Sequence, residues 1–175
     1  MNRYQRYFNK QVVEREKIFE KLMRVAIERS TQRSSSGAWC SSEILNHLSL
    51  SESWVLQILK KQFLKDPNSF KNHAFNNTLR SMMLNMSLIS NFKFKAPAVV
   101  ADLVELETPV VLYGKWSEFK NEMTQLLSNV RPEMQNKLIF RHPVAGWLNL
   151  METLQFMQLH QMHHIRQIIH RAGLL

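Results

Sequence analysis

Residues 148–171 read LNLMETLQFMQLHQMHHIRQIIHR, and this stretch decides the fold. Apolar residues and two histidines recur in it at intervals of seven, three, four and four: Leu150, Met157, His160, His164 and Ile168. Because residues three or four apart lie on one side of an α-helix, the spacing predicts a helix with a buried stripe. His160 and His164 belong to that stripe. Two imidazoles four residues apart project side by side, close enough to share one metal ion.

The rest of the chain is divided by five prolines, at positions 67, 97, 109, 132 and 143. Between them, three- and four-residue apolar intervals predict further helices over 7–29, 40–64, 68–90 and 116–129. Residues 30–37, with four serines, are expected to form a loop. The long connection 91–115 is expected to hold one short helical turn near 99–103. No alternating apolar run is flanked by hairpin turn residues, so no strand is predicted.

The composition favours the same fold class. The chain has 175 residues and only 4 glycines, and it is rich in residues that favour helices. We therefore expect one all-α domain over residues 1–175.

The formal net charge is +9, and much of the positive charge recurs at helical spacing near the start: Arg3, Arg6, Lys10, Lys17, Lys21 and Arg24. We interpret this stripe as a solvated helix face. Nucleic-acid binding is the weaker interpretation, since no recognition motif accompanies the stripe.

The location of the protein is predicted from what the sequence lacks. Cys40 is the only cysteine, so the chain cannot form an internal disulfide. The first residues resemble no signal peptide, and the longest near-continuous apolar stretch, around 96–104, is too short to span a bilayer. A cytoplasmic protein without membrane attachment is expected.

His47 lies in the predicted helix 40–64, one turn from the core-facing residues Ile44 and Ser51. A histidine there needs a hydrogen-bond partner or a metal, because a buried unpaired polar group costs about 1–3 kcal/mol. Taken singly, such a histidine is more often paired with a backbone carbonyl. Converging with His160 and His164, it would complete a three-histidine site with positions left open for water or substrate.

The other histidines and several common motifs give no second site. His73, His142 and His170 have no companion at ligand spacing, and His163 points about 100° away from His164 around the helix. Gln161 follows His160, so the zincin motif His-Glu-x-x-His is absent. The di-iron Glu-x-x-His motif, the phosphate-binding loop and the nucleophile elbow are absent too. Glu52, Glu152 and Gln167 are near the histidines in sequence and are candidates for orienting the imidazoles. Cys40, at a helix start, is interpreted as a capping or packing residue.

Two blocks resemble the DinB/YfiT-like superfamily. Residues 39–48, WCSSEILNHL, with Ser51 and Glu52 following, resemble its second-helix motif Trp-Ser-x-x-Glu-hydrophobic-hydrophobic-x-His-Leu. Residues 142–150, HPVAGWLNL, and 160–164, HQMHH, resemble its last helix. The resemblance covers residues 10–172, roughly, and is weak in the first helix and the middle. Cys40 departs from the usual Ser or Thr cap, which bears on helix stability more than on the site.

The resemblance implies an up-down-down-up four-helix bundle with a long crossover connection. It also implies a metal site made by His47, His160 and His164, with zinc or nickel bound, and a homodimer. Three imidazoles also accept iron. Some members of the superfamily transfer or isomerise groups through a low-molecular-weight thiol.

Three functions therefore remain open. The first is a metal-dependent enzyme that activates a small thiol toward an electrophilic substrate, as an S-transferase or isomerase, or activates water, as a hydrolase. The second is a binding protein, either a metal-dependent ligand sensor or a basic nucleic-acid module. The third is a structural dimeric bundle with a residual metal site. The residues identify no catalytic acid or base beside the metal.

Overall fold

The structure is a computed structural model that describes residues 1–35, 37–73, 103–143 and 145–174. These residues are mostly helical, with a small two-stranded sheet. The helices are α1 (Arg3–Leu22), α2 (Ile27–Thr31), α3 (Ser41–Phe63), α4 (Pro109–Ser128) and α5 (Leu150–Ala172). The strands are β1 (Phe140–His142) and β2 (Gly146–Leu148), and short 3₁₀ turns lie at Pro67–Ser69 and Pro132–Met134. Within this part of the chain, no helix is both long and apolar enough to cross a membrane.

Each of the four long helices packs on two others: α1 and α3 both contact α4 and α5. Hydrogen bonds from a side chain to a backbone carbonyl join Asn2 to Leu127, Gln11 to Leu154 and Ser41 to Ile168. A side-chain ion pair joins Lys60 to Glu122. The core between the helices is built mainly from large apolar side chains with almost no exposed surface, among them Phe19, Leu22, Leu45, Leu48, Leu59, Leu112, Met123 and Leu127. Burying these side chains is the main force that holds the helices together.

The first predicted helix, 7–29, is wrong at both ends. α1 begins at Arg3, because the Asn2 side chain accepts hydrogen bonds from the backbone of the first turn and Gln5 completes a capping box. It ends at Leu22, and after a four-residue break the short α2 follows. No proline or glycine marks the break in the sequence. The change of chain direction at the break allows α2 to pack against α3 and α5. Tertiary packing here overrides a continuous helical pattern.

The second predicted helix is confirmed as α3. Its first residue is Ser41, and Cys40 and Glu43 form the capping box that the sequence indicated. Glu43 also pairs with Arg33 from the preceding loop. This second contact fixes the start of α3, the helix that carries His47.

α4 begins at Pro109, seven residues before the predicted start at 116. The prediction takes Pro109 as a break, but proline is well tolerated at the first position of a helix, where its missing N–H needs no partner. Thr108 supplies the cap. Most of the predicted helix 68–90 and of the turn 99–103 lies outside the described residues. The described start of the former is the 3₁₀ turn Pro67–Ser69, followed by a single bridge from Asn72 to Lys137.

The prediction that the chain has no strand is wrong. β1 and β2 form an antiparallel pair in which Phe140 lies opposite Leu148. Each strand has three residues, too few for an alternating pattern to be recognised. Both Phe140 and Leu148 are fully buried, so the hairpin closes one part of the core. It leads directly into α5, where Asn149 and Glu152 form a capping box and Gly173 ends the helix with a φ of +64°.

Candidate metal centre

Helices α3 and α5 bring the three predicted histidines together. The Nε2 atom of His160 lies 3.4 Å from Nε2 of His47 and 3.2 Å from Nε2 of His164. One ligand atom from each residue lies within 4.8 Å of the other two. The Ser41 hydroxyl, at the start of α3, donates to the Ile168 carbonyl one turn beyond His164. This contact holds the two helices in the register that makes the cluster.

The surroundings keep the three imidazoles neutral at pH 7. Burial lowers the pKa of His47. Burial also lowers the pKa of His160 well below its usual value, and the neighbouring His164 and His47 add to this effect. Burial, with a contribution from His47, lowers the pKa of His164 to about 3. Neutral imidazole has the free lone pair that a metal requires.

The nitrogen positions fit a divalent ion better than a hydrogen-bonded cluster. The His160 Nε2 atom faces two other ring nitrogens, and a neutral imidazole has only one proton to donate. Two nitrogens bound to tetrahedral zinc at about 2.0–2.1 Å are about 3.3 Å apart, close to both Nε2–Nε2 separations in the structure. The other ring nitrogen of His47, Nδ1, is buried and has no hydrogen-bond partner among the described residues. The donor set therefore fits an ion that prefers imidazole ligands, such as zinc or nickel.

Gln167 orients one of the imidazoles. Its Oε1 atom lies 2.9 Å from Nδ1 of His164, and its Nε2 atom lies 3.2 Å from Nε2 of His163. Because an amide oxygen only accepts, the His164 Nδ1–H donates to it, which leaves the Nε2 lone pair free for a metal. His163, which the sequence left without a role, is the far end of this chain of contacts.

Aromatic rings flank two of the three imidazoles. Phe156 stacks on His160, with ring centroids 5.5 Å apart and planes 17° apart. Trp39, from the loop before α3, lies with its ring centroid 5.5 Å from that of His47. These rings limit the rotation of the imidazoles and exclude water from one side of the cluster.

Of the three candidates for orienting the imidazoles, only Gln167 contacts the cluster in the described part of the chain. Glu152 accepts from the Asn149 backbone N–H and pairs with Nε2 of His73 at 2.8 Å. Glu52 pairs with Arg15. Their roles are therefore elsewhere: Glu152 ties the start of α5 to the segment that carries His73, and Glu52 belongs to a buried polar network.

This network is the feature that the sequence interpretation missed. The side chain of Arg15 has no exposed surface and pairs with Glu52 at 2.5 Å. Its Nε donates to Oε1 of Gln161, the residue after His160, at 3.2 Å. The signal was present, because Phe8, Arg15 and Leu22 occupy the buried stripe of α1 at seven-residue spacing. Arg15 is not among the six basic residues that are predicted to form the solvated stripe; those six are exposed, whereas Arg15 is buried.

The remaining candidate residues have structural roles. Cys40 is buried at the start of α3, and burial raises the pKa of its thiol, as expected for a capping and packing residue rather than a nucleophile. Burial lowers the pKa of His142 to about 4, and its Nδ1 accepts a hydrogen bond from the Ala145 backbone. His170 is exposed on α5.

No protein-family model, curated protein or solved structure matches this chain significantly. The assignment of a function therefore depends on the residues and their geometry.

Proposed function

We propose that this protein is a divalent-metal-binding enzyme of the DinB/YfiT-like type, in which His47, His160 and His164 hold the ion. The single observation that carries the proposal is the convergence of the three Nε2 atoms, with separations of 3.2 and 3.4 Å. Imidazole ligands accept zinc, nickel and iron, and the resemblance to the superfamily favours zinc or nickel.

We also propose that the four long helices form an up-down-down-up bundle. The start of α1 bonds to the end of α4, and the start of α3 bonds to the end of α5, so each of these pairs runs antiparallel. The contact between Gln11 and Leu154 joins the first halves of α1 and α5, and that between Lys60 and Glu122 joins the second halves of α3 and α4. These contacts support the topology, and the homodimer that the resemblance implies stays a prediction.

A bound ion with open coordination positions lowers the pKa of a thiol or a water molecule that it coordinates. The residues of the chain provide the conditions for this chemistry. The three neutral imidazoles would hold the ion without neutralising its charge. Gln167 keeps Nε2 of His164 unprotonated, and Phe156 and Trp39 cover one side of the cluster. We propose a low-molecular-weight thiol as the activated group and an electrophile as its partner, an S-transferase or isomerase type of reaction, with hydrolysis as the other outcome.

The test is a turnover screen with the zinc- and nickel-loaded protein, small thiols and electrophilic substrates, in parallel with a hydrolysis screen. His160→Ala is expected to abolish metal binding and turnover while the helix content measured by circular dichroism stays nearly constant. His170→Ala, a change to an exposed histidine on the same helix, is the matched control and is expected to keep both. Unchanged turnover in the His160 variant would contradict the proposal.

A non-enzymatic function is the second candidate, favoured by the exposed basic residues of α1, Arg3, Arg6, Lys10, Lys17 and Lys21. If the protein is a nucleic-acid module, its affinity for DNA should fall steeply with salt and should weaken when Lys17 and Lys21 are changed to Glu. Absence of any retardation of DNA at low salt would remove this candidate.

A further inference from the structure

Trp54 is a half-exposed tryptophan on the helix that carries His47. It follows His47 by seven residues in α3, so the two side chains lie on the same face of the helix, about 10 Å apart along its axis. Trp54 is 48% exposed. A single exposed apolar side chain is common on protein surfaces and does not mark a site. The contacts of Trp54 are what set it apart.

A row of aromatic rings leads from Trp54 to the histidine cluster. The Trp54 ring contacts that of Phe140 with centroids 5.4 Å apart, and Phe140 stacks on Phe156 at 6.4 Å. Phe156 in turn stacks on His160 at 5.5 Å. All three separations are those of rings in direct contact. The aromatic row (Trp54, Phe140, Phe156 and His160) is therefore continuous from a solvent-exposed ring to one of the three candidate metal ligands.

The side chains beside the aromatic row offer little to a charged group. Between His47 and Trp54, α3 presents Ser51, which is small and partly exposed. Its hydroxyl donates to the His47 carbonyl and so is not free to donate to a ligand. His142 contacts Phe156 at 4.5 Å, and because burial lowers its pKa to about 4 it is neutral at pH 7. A group placed along the row would therefore have to be apolar, since a charged group would lose its hydration without gaining a partner.

We propose that the aromatic row binds an aromatic end group of the electrophilic substrate, which packs on the exposed part of Trp54 while the reacting atom lies at the metal centre, about 10 Å away. The inference rests on the proposed function and adds a substrate class to it: an extended electrophile with a planar, apolar end. Trp54 is then a specificity-determining residue. It acts on substrate binding and leaves the three histidines unchanged.

The experiment uses the full chain loaded with cobalt(II), whose visible absorption reports ligand binding. The probes are hydroxamates, which chelate divalent ions. Acetohydroxamate tests the metal centre alone. A phenyl-terminated hydroxamate, with a chain long enough to place its ring at Trp54, is compared with an alkyl hydroxamate of the same length. We expect the parent to bind the phenyl-terminated probe about three- to tenfold more tightly than the alkyl probe, the contribution of one aromatic pair.

Three variants complete the test. Trp54→Leu keeps an apolar side chain against Phe140 but removes the ring, so the preference for the phenyl probe should be lost while acetohydroxamate affinity stays constant. Trp54→Met gives the same test if the leucine variant does not fold. Trp147→Ala is the matched control, because Trp147 is 44% exposed and lies opposite Arg141, on the other face of the hairpin from Phe140. Its preference should equal that of the parent.

Equal binding of the phenyl and alkyl probes by the parent, or a preference that persists without the Trp54 ring, would overturn the inference and leave the proposed function intact. Loss of acetohydroxamate binding in the Trp54 variants would also overturn it, because the residue would then act on the metal centre itself. A parent protein that takes up no cobalt would overturn both.

Discussion

Replacing Arg15 by methionine removes one half of a buried ion pair that joins α1 to α3. Arg15 has no exposed surface and the side chain of Glu52 is only 7% exposed, so solvent cannot replace the lost partner. We expect Arg15→Met, and separately Glu52→Leu, to lower the free energy of unfolding by about 3–5 kcal/mol. This is a large share of the roughly 5–15 kcal/mol that stabilises a typical domain.

The double variant Arg15→Met, Glu52→Leu should behave differently. It buries two apolar side chains of similar size and leaves no charge without a partner, and such replacements are commonly neutral or stabilising. Gln161 Oε1 loses the donor that Arg15 supplied, so we expect the double variant to lower the free energy of unfolding by no more than about 1–3 kcal/mol, the cost of one buried unpaired acceptor. The coupling energy between the two positions is then at least about 3 kcal/mol.

The assay is urea unfolding followed by circular dichroism at 222 nm, with equal m-values as the sign that the unfolded states are comparable.

The pH dependence of stability gives a second check. Burial already raises the pKa of Glu52, and loss of Arg15 raises it further. Since the folded pKa lies above the unfolded one, stability falls as the pH rises between them. Arg15→Met should therefore be less destabilised at pH 5 than at pH 7. Additive single effects, or single losses below about 1 kcal/mol, would refute this reasoning.

Three further results are expected. Asn149→Ala removes the side-chain acceptor for the Glu152 N–H and should cost about 1 kcal/mol of stability in urea unfolding, whereas Asn149→Asp should cost little. Gln167→Leu removes the acceptor that orients His164 and should weaken zinc binding about 10- to 100-fold in a chelator competition, while Gln167→Glu should keep it; equal affinities would contradict the assigned role. Burial lowers the pKa of His142 to about 4, so its contribution to stability is lost as the pH falls from about 6.5 toward 4. In His142→Asn the unfolding temperature should fall less steeply with pH over this range. An unchanged slope would show that His142 is not responsible for the pH dependence.

Patterns within a single helix were predictable from the sequence. The start of α3 was found because Cys40 and Glu43 stand at capping-box spacing, and the trio was found because His160 and His164 recur on an apolar stripe. The pattern within α5 could not show that His160 and His164 lie next to His47, because that contact depends on how α3 packs against α5. The register of that packing is set by contacts far apart in sequence, such as the one between Ser41 and Ile168.

Features that depend on tertiary contacts were not predictable. The break after Leu22 carries no local signal, and the strands around Phe140 and Leu148 are too short to show a pattern. The sequence prediction gives Arg15 no role, although its position between Phe8 and Leu22 in the stripe of α1 points to the core. A charged residue in such a stripe is informative, because burial requires a partner and therefore indicates a contact.

The central claim is that His47, His160 and His164 hold one divalent ion. Elemental analysis of the protein purified without an affinity tag, beside a variant with all three histidines changed to alanine, tests it most directly. The account predicts close to one equivalent of zinc, nickel or iron in the parent and none in the variant. No metal in the parent, even after loading with zinc or nickel, or an equal amount in both proteins, would contradict it.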